Sequence, residues 1–238
     1  MTERELISRW DGFLDKLELR FEEALQLGEQ AVLESLEDND YNYYASARTL
    51  QAIKAQFYED LVQKISTTWQ RQVEPLMRAQ GHFWAEESYK GHRQAESMNE
   101  RIGLWQIVTE GRLSQKYYDH IIPMINRDFF CTQCNALLNV KKNFFMAQYV
   151  NCSYCGAINT FEPESKYVAI GWNVVNNIAA LNALDEYTIM QRTERGAEYN
   201  AAARKYYERY FDERIKLLPH TAATRDQDIE LELKKQSQ

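Results

Sequence analysis

This chain of 238 residues contains four cysteines, and all of them fall in one stretch: Cys131-Thr132-Gln133-Cys134, then seventeen residues, then Cys152-Ser153-Tyr154-Cys155. A CxxC turn aims two thiolates at one point, and two such turns complete the tetrahedral four-sulfur set that Zn²⁺ prefers. The stretch therefore reads as a structural zinc site, with Cys131, Cys134, Cys152 and Cys155 as ligands of one Zn²⁺. On either side the apolar residues recur at helical spacing. The chain is thus constrained to a helical body carrying a short, metal-held insertion.

The insertion has its own local signals. Asn135 and Gly156 directly follow the second cysteine of each pair, where the turn calls for a left-handed backbone that these two residue types tolerate. Leu137-Leu138-Asn139-Val140 and Met146-Ala147-Gln148-Tyr149-Val150 flank Lys141-Lys142-Asn143, which predicts a hairpin, with Ala157 to Phe161 as a third strand. On these residues the segment from about 128 to 163 resembles the zinc-ribbon family. The resemblance implies a structural zinc in a small β fold, and ribbons serve DNA, RNA, protein contacts and pure structure alike. A tetrathiolate also holds iron, as in rubredoxin, and rubredoxin-like modules occur beside the di-iron bundles of the rubrerythrin family. Those bundles need Glu-x-x-His, whereas the residues three before His82, His92, His120 and His220 are Ala79, Tyr89, Tyr117 and Leu217. An iron electron carrier is therefore the weaker alternative.

The opening Met1-Thr2-Glu3-Arg4-Glu5 carries no apolar signal segment. A reducing cytoplasmic setting with free thiols, rather than disulfides, is expected. Only four prolines and nine glycines punctuate the chain, which favours long helices. A net charge of −7 and a pI near 5.3 oppose a general polyanion-binding surface. No run approaches the roughly eighteen apolar residues of a membrane span, and neither end carries a lipidation motif.

From about Thr2 to Glu37, Ile7, Trp10, Leu14, Leu17, Phe21, Ala24, Gly28 and Ala31 step by threes and fours. That seam predicts a bundle helix, or an intermolecular coiled coil giving a homo-oligomer, and its shrinking residues predict closer helix approach towards the C-terminal end. Leu50, Ile53, Phe57, Leu61, Ile65, Trp69 and Val73 mark a second helix, antiparallel to the first across a short loop and kinked or ended by Pro75. A corner at Gly81-His82-Phe83-Trp84 precedes a third helix with the stripe Ala95, Met98, Ile102, Trp105 and Val108, running towards Pro123. Gly103 and Gly111 weaken it by roughly 1 kcal/mol each unless they permit close packing.

After the insertion, Glu162-Pro163-Glu164-Ser165 suits a helix start, and a helical pattern runs from Lys166 to about Leu218, bent at Gly196 or projecting. Asn173, Asn176, Asn177 and Asn182 are unusual on one helix and suit either exposure or contact with a partner's polar groups. Beyond Pro219 a flexible tail is expected, in which Ile229, Leu231 and Leu233 alternate with acids as in a strand-addition peptide.

No phosphate loop, HExxH, nucleophile elbow or spare cysteine is present in the sequence, so the expectation is a protein that is not an enzyme. The fold expected is mainly α, with long antiparallel helices in a four-helix-bundle or coiled-coil-like arrangement and an inserted β zinc ribbon. Its parts are a helical region 1–127, the ribbon 128–163, a long helix 164–218 packing on the helical region, and the tail 219–238. The function expected is that of a zinc-binding adaptor or structural subunit contacting protein partners through helical faces and the ribbon tip. That tip carries Lys141, Lys142, Phe144 and Phe145, which suit either a protein pocket or a nucleic-acid base beside phosphate. Two lysines are few for nucleic acid, which is the alternative partner.

Overall fold

The computed structural model describes residues 2–81, 84–141, 145–162 and 170–236, apart from the side chain of Trp172. It is mostly helical, with two small antiparallel sheets. The chain divides into two compact units, residues 1–109 and 110–238. The division falls inside a helix rather than at the edge of the cysteine segment.

In the first unit, α1 (Glu3–Asp38) starts at Thr2, whose hydroxyl accepts from the Glu5 amide while the Glu5 carboxylate accepts from the Thr2 amide. This reciprocal cap satisfies two of the donors that a helix start otherwise leaves unpaired. The buried seam is Leu6, Trp10, Leu14, Leu17, Phe21, Gly28, Val32 and Leu36. At its two ends Leu6 and Val32 replace the expected Ile7 and Ala31. Steps of mostly four run ahead of the 3.5-residue repeat of a strict heptad, so the seam is not that of a regular coiled coil.

A single helical run follows, made of α2 (Tyr43–Phe57), α3 (Gln63–Thr68) and α4 (Glu74–Ala79), joined by π turns at Tyr58–Val62 and Trp69–Val73. Pro75 does not end this run, which continues to Ala79; the π turn before it lets the Glu74 amide reach back to the Trp69 carbonyl. Proline then occupies the first turn of α4, where its missing donor costs little. The third run is α5 (Ala85–Ile125), which continues through Gly91 and Pro123 and crosses from the first unit into the second. Of the expected corner before it, His82 and Phe83 lie outside the described residues.

Within the first unit α1 and α5 run parallel, since Trp10 donates its indole N–H to the Glu87 carbonyl at 3.0 Å and Trp105 donates to Leu25 at 2.9 Å. The α2–α4 run is antiparallel to both: the Phe57 ring meets Trp105 near Gly28, and Trp69 meets Trp10. The seam of α1 is thus buried inside its own chain, which removes the reason to expect a homo-oligomer through this helix. At Gly28 a Cβ would lie 2.6 Å from the Phe57 ring, so the expected closer approach is real.

In the second unit the latter part of α5 buries Leu113, Tyr117, Ile121 and Ile125. A π turn at Ile170–Val174 leads into α6 (Val175–Asn182), followed by α7 (Leu184–Arg192) and α8 (Ala197–Leu217). The single long helix expected over 164–218 is therefore three helices over its described part. Breaks fall at Ala183 and at Gly196, whose φ of 151° disfavours other residues. Residues 163–169, the expected helix start, lie outside the described residues.

The expected flexible tail is instead a 3₁₀ turn (Pro219–Thr224) and α9 (Arg225–Gln236) packed on α8. Ile229 and Leu233 stand four residues apart, one helical turn. They meet Tyr207 and Phe211 while Leu231 faces outward, whereas a strand would have put all three on one face. Arg225 donating to Asp212 at 2.6 Å, and Gln236 linking the Tyr199 and Tyr207 hydroxyls, tie both ends of α9 to α8.

The two glycines of α5 separate by environment. At Gly111 a Cβ would lie 2.5 Å from Leu181 Cβ, an atom fixed to the backbone of α6, whereas at Gly103 it would meet nothing within 4 Å. Gly103→Ala is therefore expected to stabilise by about 0.8–1 kcal/mol, and Gly111→Ala to destabilise by about 1–3 kcal/mol. Urea unfolding of the two variants checks this; equal signs would refute the close-packing account of Gly111.

Candidate metal centre

The cysteine segment is built from two hairpins of the same design. Strand β1 (Phe129–Phe130) pairs with β2 (Leu137–Leu138), and β3 (Gln148–Asn151) pairs with β4 (Ile158–Phe161). Each CxxC is itself the turn of its hairpin. The Cys131 amide donates to Ala136 and the Asn135 amide to the Cys131 carbonyl; the Cys152 and Gly156 amides repeat this with Ala157 and Cys152, at 2.8–2.9 Å throughout. Asn135 (φ 58°) and Gly156 (φ 74°) take the left-handed positions expected of them.

The expected hairpin between residues 137–140 and 146–150 is not formed among the described residues. Each of those runs is already paired across its own CxxC turn, whose amide bonds set the register locally. The Gln148 side chain instead bonds the Lys141 backbone, its amide oxygen accepting from the Lys141 N–H at 2.9 Å and its nitrogen donating to the Lys141 carbonyl.

The two turns bring all four sulfurs within 4.8 Å of one another, with Cys131 to Cys155 and Cys134 to Cys152 each at 3.6 Å. All four are free thiols. A tetrahedral ion with metal–sulfur bonds of about 2.3 Å needs sulfurs about 3.8 Å apart, so the cluster fits a thiophilic metal ion. Cys131 and Cys152 are buried and Cys155 is exposed.

Loop dipoles prepare the first sulfur of each pair for negative charge. The Cys134 amide, aided by that of Gln133 and by the side chains of Asn159 and Cys155, holds Cys131 down to about 6. Cys152 is lowered likewise by the amides of Cys155 and Tyr154. On Cys134 the Ala136 amide pulls the other way, but burial and the neighbouring sulfurs together push the thiol up to about 12. Cys155 is also raised, burial and the Cys131 and Cys152 sulfurs outweighing the Ala157 amide.

The sequence reading missed Asn159. It is buried; its amide nitrogen donates to the Cys131 sulfur at 3.5 Å and to the Ala157 carbonyl, and its oxygen accepts from both the amide and the hydroxyl of Thr132. An outer-shell partner of this kind orients a ligand and tunes its charge. The available signal was alternation: Asn159 shares the inward face of β4 with Phe161, and an inward polar residue must bond to something.

Of the four residues proposed for the tip, Lys141 is exposed, and Lys142 and Phe144 lie outside the described residues. Phe145 is buried, close to Gly171, so it belongs to the protein's own interior and does not offer itself to a partner. The exposed apolar residues lie elsewhere on the segment. Phe130 opposes Leu137 on the outer face of the first hairpin, and Tyr149 and Ile158 share the outer face of the second. Tyr154, in the second CxxC turn, is 83% exposed.

Among the described residues no helix is long and apolar enough to cross a membrane. The fold and site together define a mostly helical protein with a four-cysteine cluster that could hold a metal ion. Compared with family models, curated proteins and solved structures, the chain matches none.

Proposed function

We propose that this protein is a non-catalytic zinc-binding adaptor or structural subunit, cytoplasmic, and that it docks a protein partner on the outer faces of a zinc ribbon formed by the two cysteine hairpins. Zinc suits the site by its chemistry, since a closed set of four thiolates leaves no position for water or substrate and the ion serves folding alone. The observation that carries the docking reading is the outer surface of the segment. Phe130, Leu137, Tyr149, Tyr154 and Ile158 are all exposed, and no charged residue occurs from Phe129 to Val140 or from Phe145 to Phe161. Large exposed aromatics in an uncharged setting mark protein contacts.

Nucleic acid, the alternative partner, is poorly served here. Lys141 is the one cation among the described residues of the segment, and four thiolates around a divalent ion leave a net charge of −2 facing any phosphate.

The test is affinity capture of partners from host extract, with and without nuclease, using wild type, Tyr149→Asp/Ile158→Asp and Lys141→Glu/Lys142→Glu. The aspartate pair should lose its stoichiometric partner while retaining one equivalent of zinc, and the glutamate pair should keep both. Loss of partner with the glutamate pair alone, or on nuclease treatment, overturns the reading in favour of nucleic acid.

A further inference from the structure

A second feature lies on the C-terminal helices and does not depend on the metal. Helices α6, α7, α8 and α9 enclose an open cavity of about 640 Å³, within the usual size for a small-molecule site. One wall is aromatic: Tyr187, Tyr206, Tyr210 and Phe211 all line it. The ring centroids of Tyr206 lie 5.4 Å from Tyr187 and 6.0 Å from Tyr210, with planes inclined by 62° and 42°. Rings tilted in this way form a curved wall rather than the parallel faces that grip a flat ligand. The shape suits a compact, rounded group.

Charge selects its sign. The lining carries two carboxylates, Asp228 and Glu232, against the single guanidinium of Arg214. Arg214 is already engaged, its Nε donating to Asn176 Oδ1 at 3.0 Å and its Nη1 standing 4.0 Å from Asp228. This gives Asn176 a role that the helix pattern left unexplained. Burial is what chiefly raises the hydroxyls of Tyr206, Tyr207 and Tyr210; the Glu232 carboxylate adds a smaller push on all three, while Arg214 pulls Tyr210 and Lys235 pulls Tyr207 the other way. Its ion-pair partner Lys235, at 2.5 Å, is a largely exposed side chain that does not line the cavity. The aromatic end is therefore a partly dehydrated, concave surface with the Glu232 carboxylate on its lining.

We propose that this cavity binds a small organic cation bearing a methylated ammonium group, held by the faces of Tyr206 and its neighbours and by the Glu232 carboxylate. Such groups are attracted to aromatic faces by the ring quadrupole, and a neighbouring carboxylate supplies the remaining counter-charge.

Isothermal titration of the full chain with choline, with its uncharged carbon isostere 3,3-dimethylbutan-1-ol and with benzoate tests this. Choline should bind, and about tenfold more tightly than the isostere. Glu232→Gln, a change at a partly exposed position, should weaken choline about fivefold or more with little effect on thermal unfolding. Tyr206→Phe should retain binding and Tyr206→Leu should lose it, because the ring and not the hydroxyl makes the contact. Equal binding of choline and the isostere, a preference for benzoate, or no choline binding up to about 10 mM overturns the proposal.

Discussion

Stripping the metal with a strong chelator, or replacing Cys131 with serine, is expected to unfold the segment from Phe129 to Phe161 while the helices of residues 2–81 and 84–109 stay folded. The strands there are only two to four residues long, and the core beneath them is the cysteine cluster itself with Leu138 and a rim that includes Phe129 and Val150. Below about 40 residues such a unit rarely holds without a metal or a disulfide. Metal binding in comparable sites is worth on the order of 10–16 kcal/mol at neutral pH, far more than these hairpins otherwise supply. Limited proteolysis read by mass spectrometry should show new cleavages between Phe129 and Phe161, while the helical circular dichroism signal changes little. An unchanged digestion pattern in the metal-free protein would remove the structural role assigned to the ion. Asn159→Ala extends the test, since it removes the donor to the Cys131 sulfur and the acceptor for Thr132. It should weaken metal binding about 10- to 100-fold, measured by competition with a chromophoric chelator.

Trp10→Ala should produce the largest loss of stability in the first unit, about 3–5 kcal/mol. Its side chain is 1% exposed, meets Phe13 and Trp69, and donates to the Glu87 carbonyl. Truncation opens a cavity and removes the indole's bond between α1 and α5. For a unit whose total stability is expected near 5–15 kcal/mol, this is a substantial fraction. Gly91 is the other half of the contact, because a Cβ there would lie 2.7 Å from Trp10 Cζ2 and 3.2 Å from Ile65. Gly91→Ala should cost about 1–3 kcal/mol in the wild type and less once Trp10 is truncated. The two changes should therefore couple by about 0.5–3 kcal/mol in a double-mutant cycle followed by urea unfolding. Additive effects would show that Gly91 is tolerated for some reason other than the indole.

Several features were legible because they are local. The two CxxC turns need only their own backbone to aim their sulfurs, so the spacing of the cysteines, with Asn135 and Gly156 behind them, was enough to locate the cluster. The apolar stripes of α1 and α5 repeat over many turns, and a long repeat identifies a helix even where individual members shift by a residue.

Tertiary structure decided what depends on a partner far along the chain. Whether Gly91 breaks a helix or admits an indole depends on Trp10, some eighty residues earlier. The Ile229-Glu230-Leu231-Glu232-Leu233 run fits strand and helix alike, and the choice came from Tyr207 and Phe211, which reward a one-turn spacing. Strand pairing was the reverse case, because each CxxC turn captured its own flanks locally before Leu137 and Tyr149 could face each other. The cavity among α6 to α9 lies beyond any local pattern. Its tyrosines and its carboxylates come from separate helices, and only packing sets them around one space. Sequence periodicity records which side of an element is apolar; which neighbour covers that side is settled by close packing over long separations.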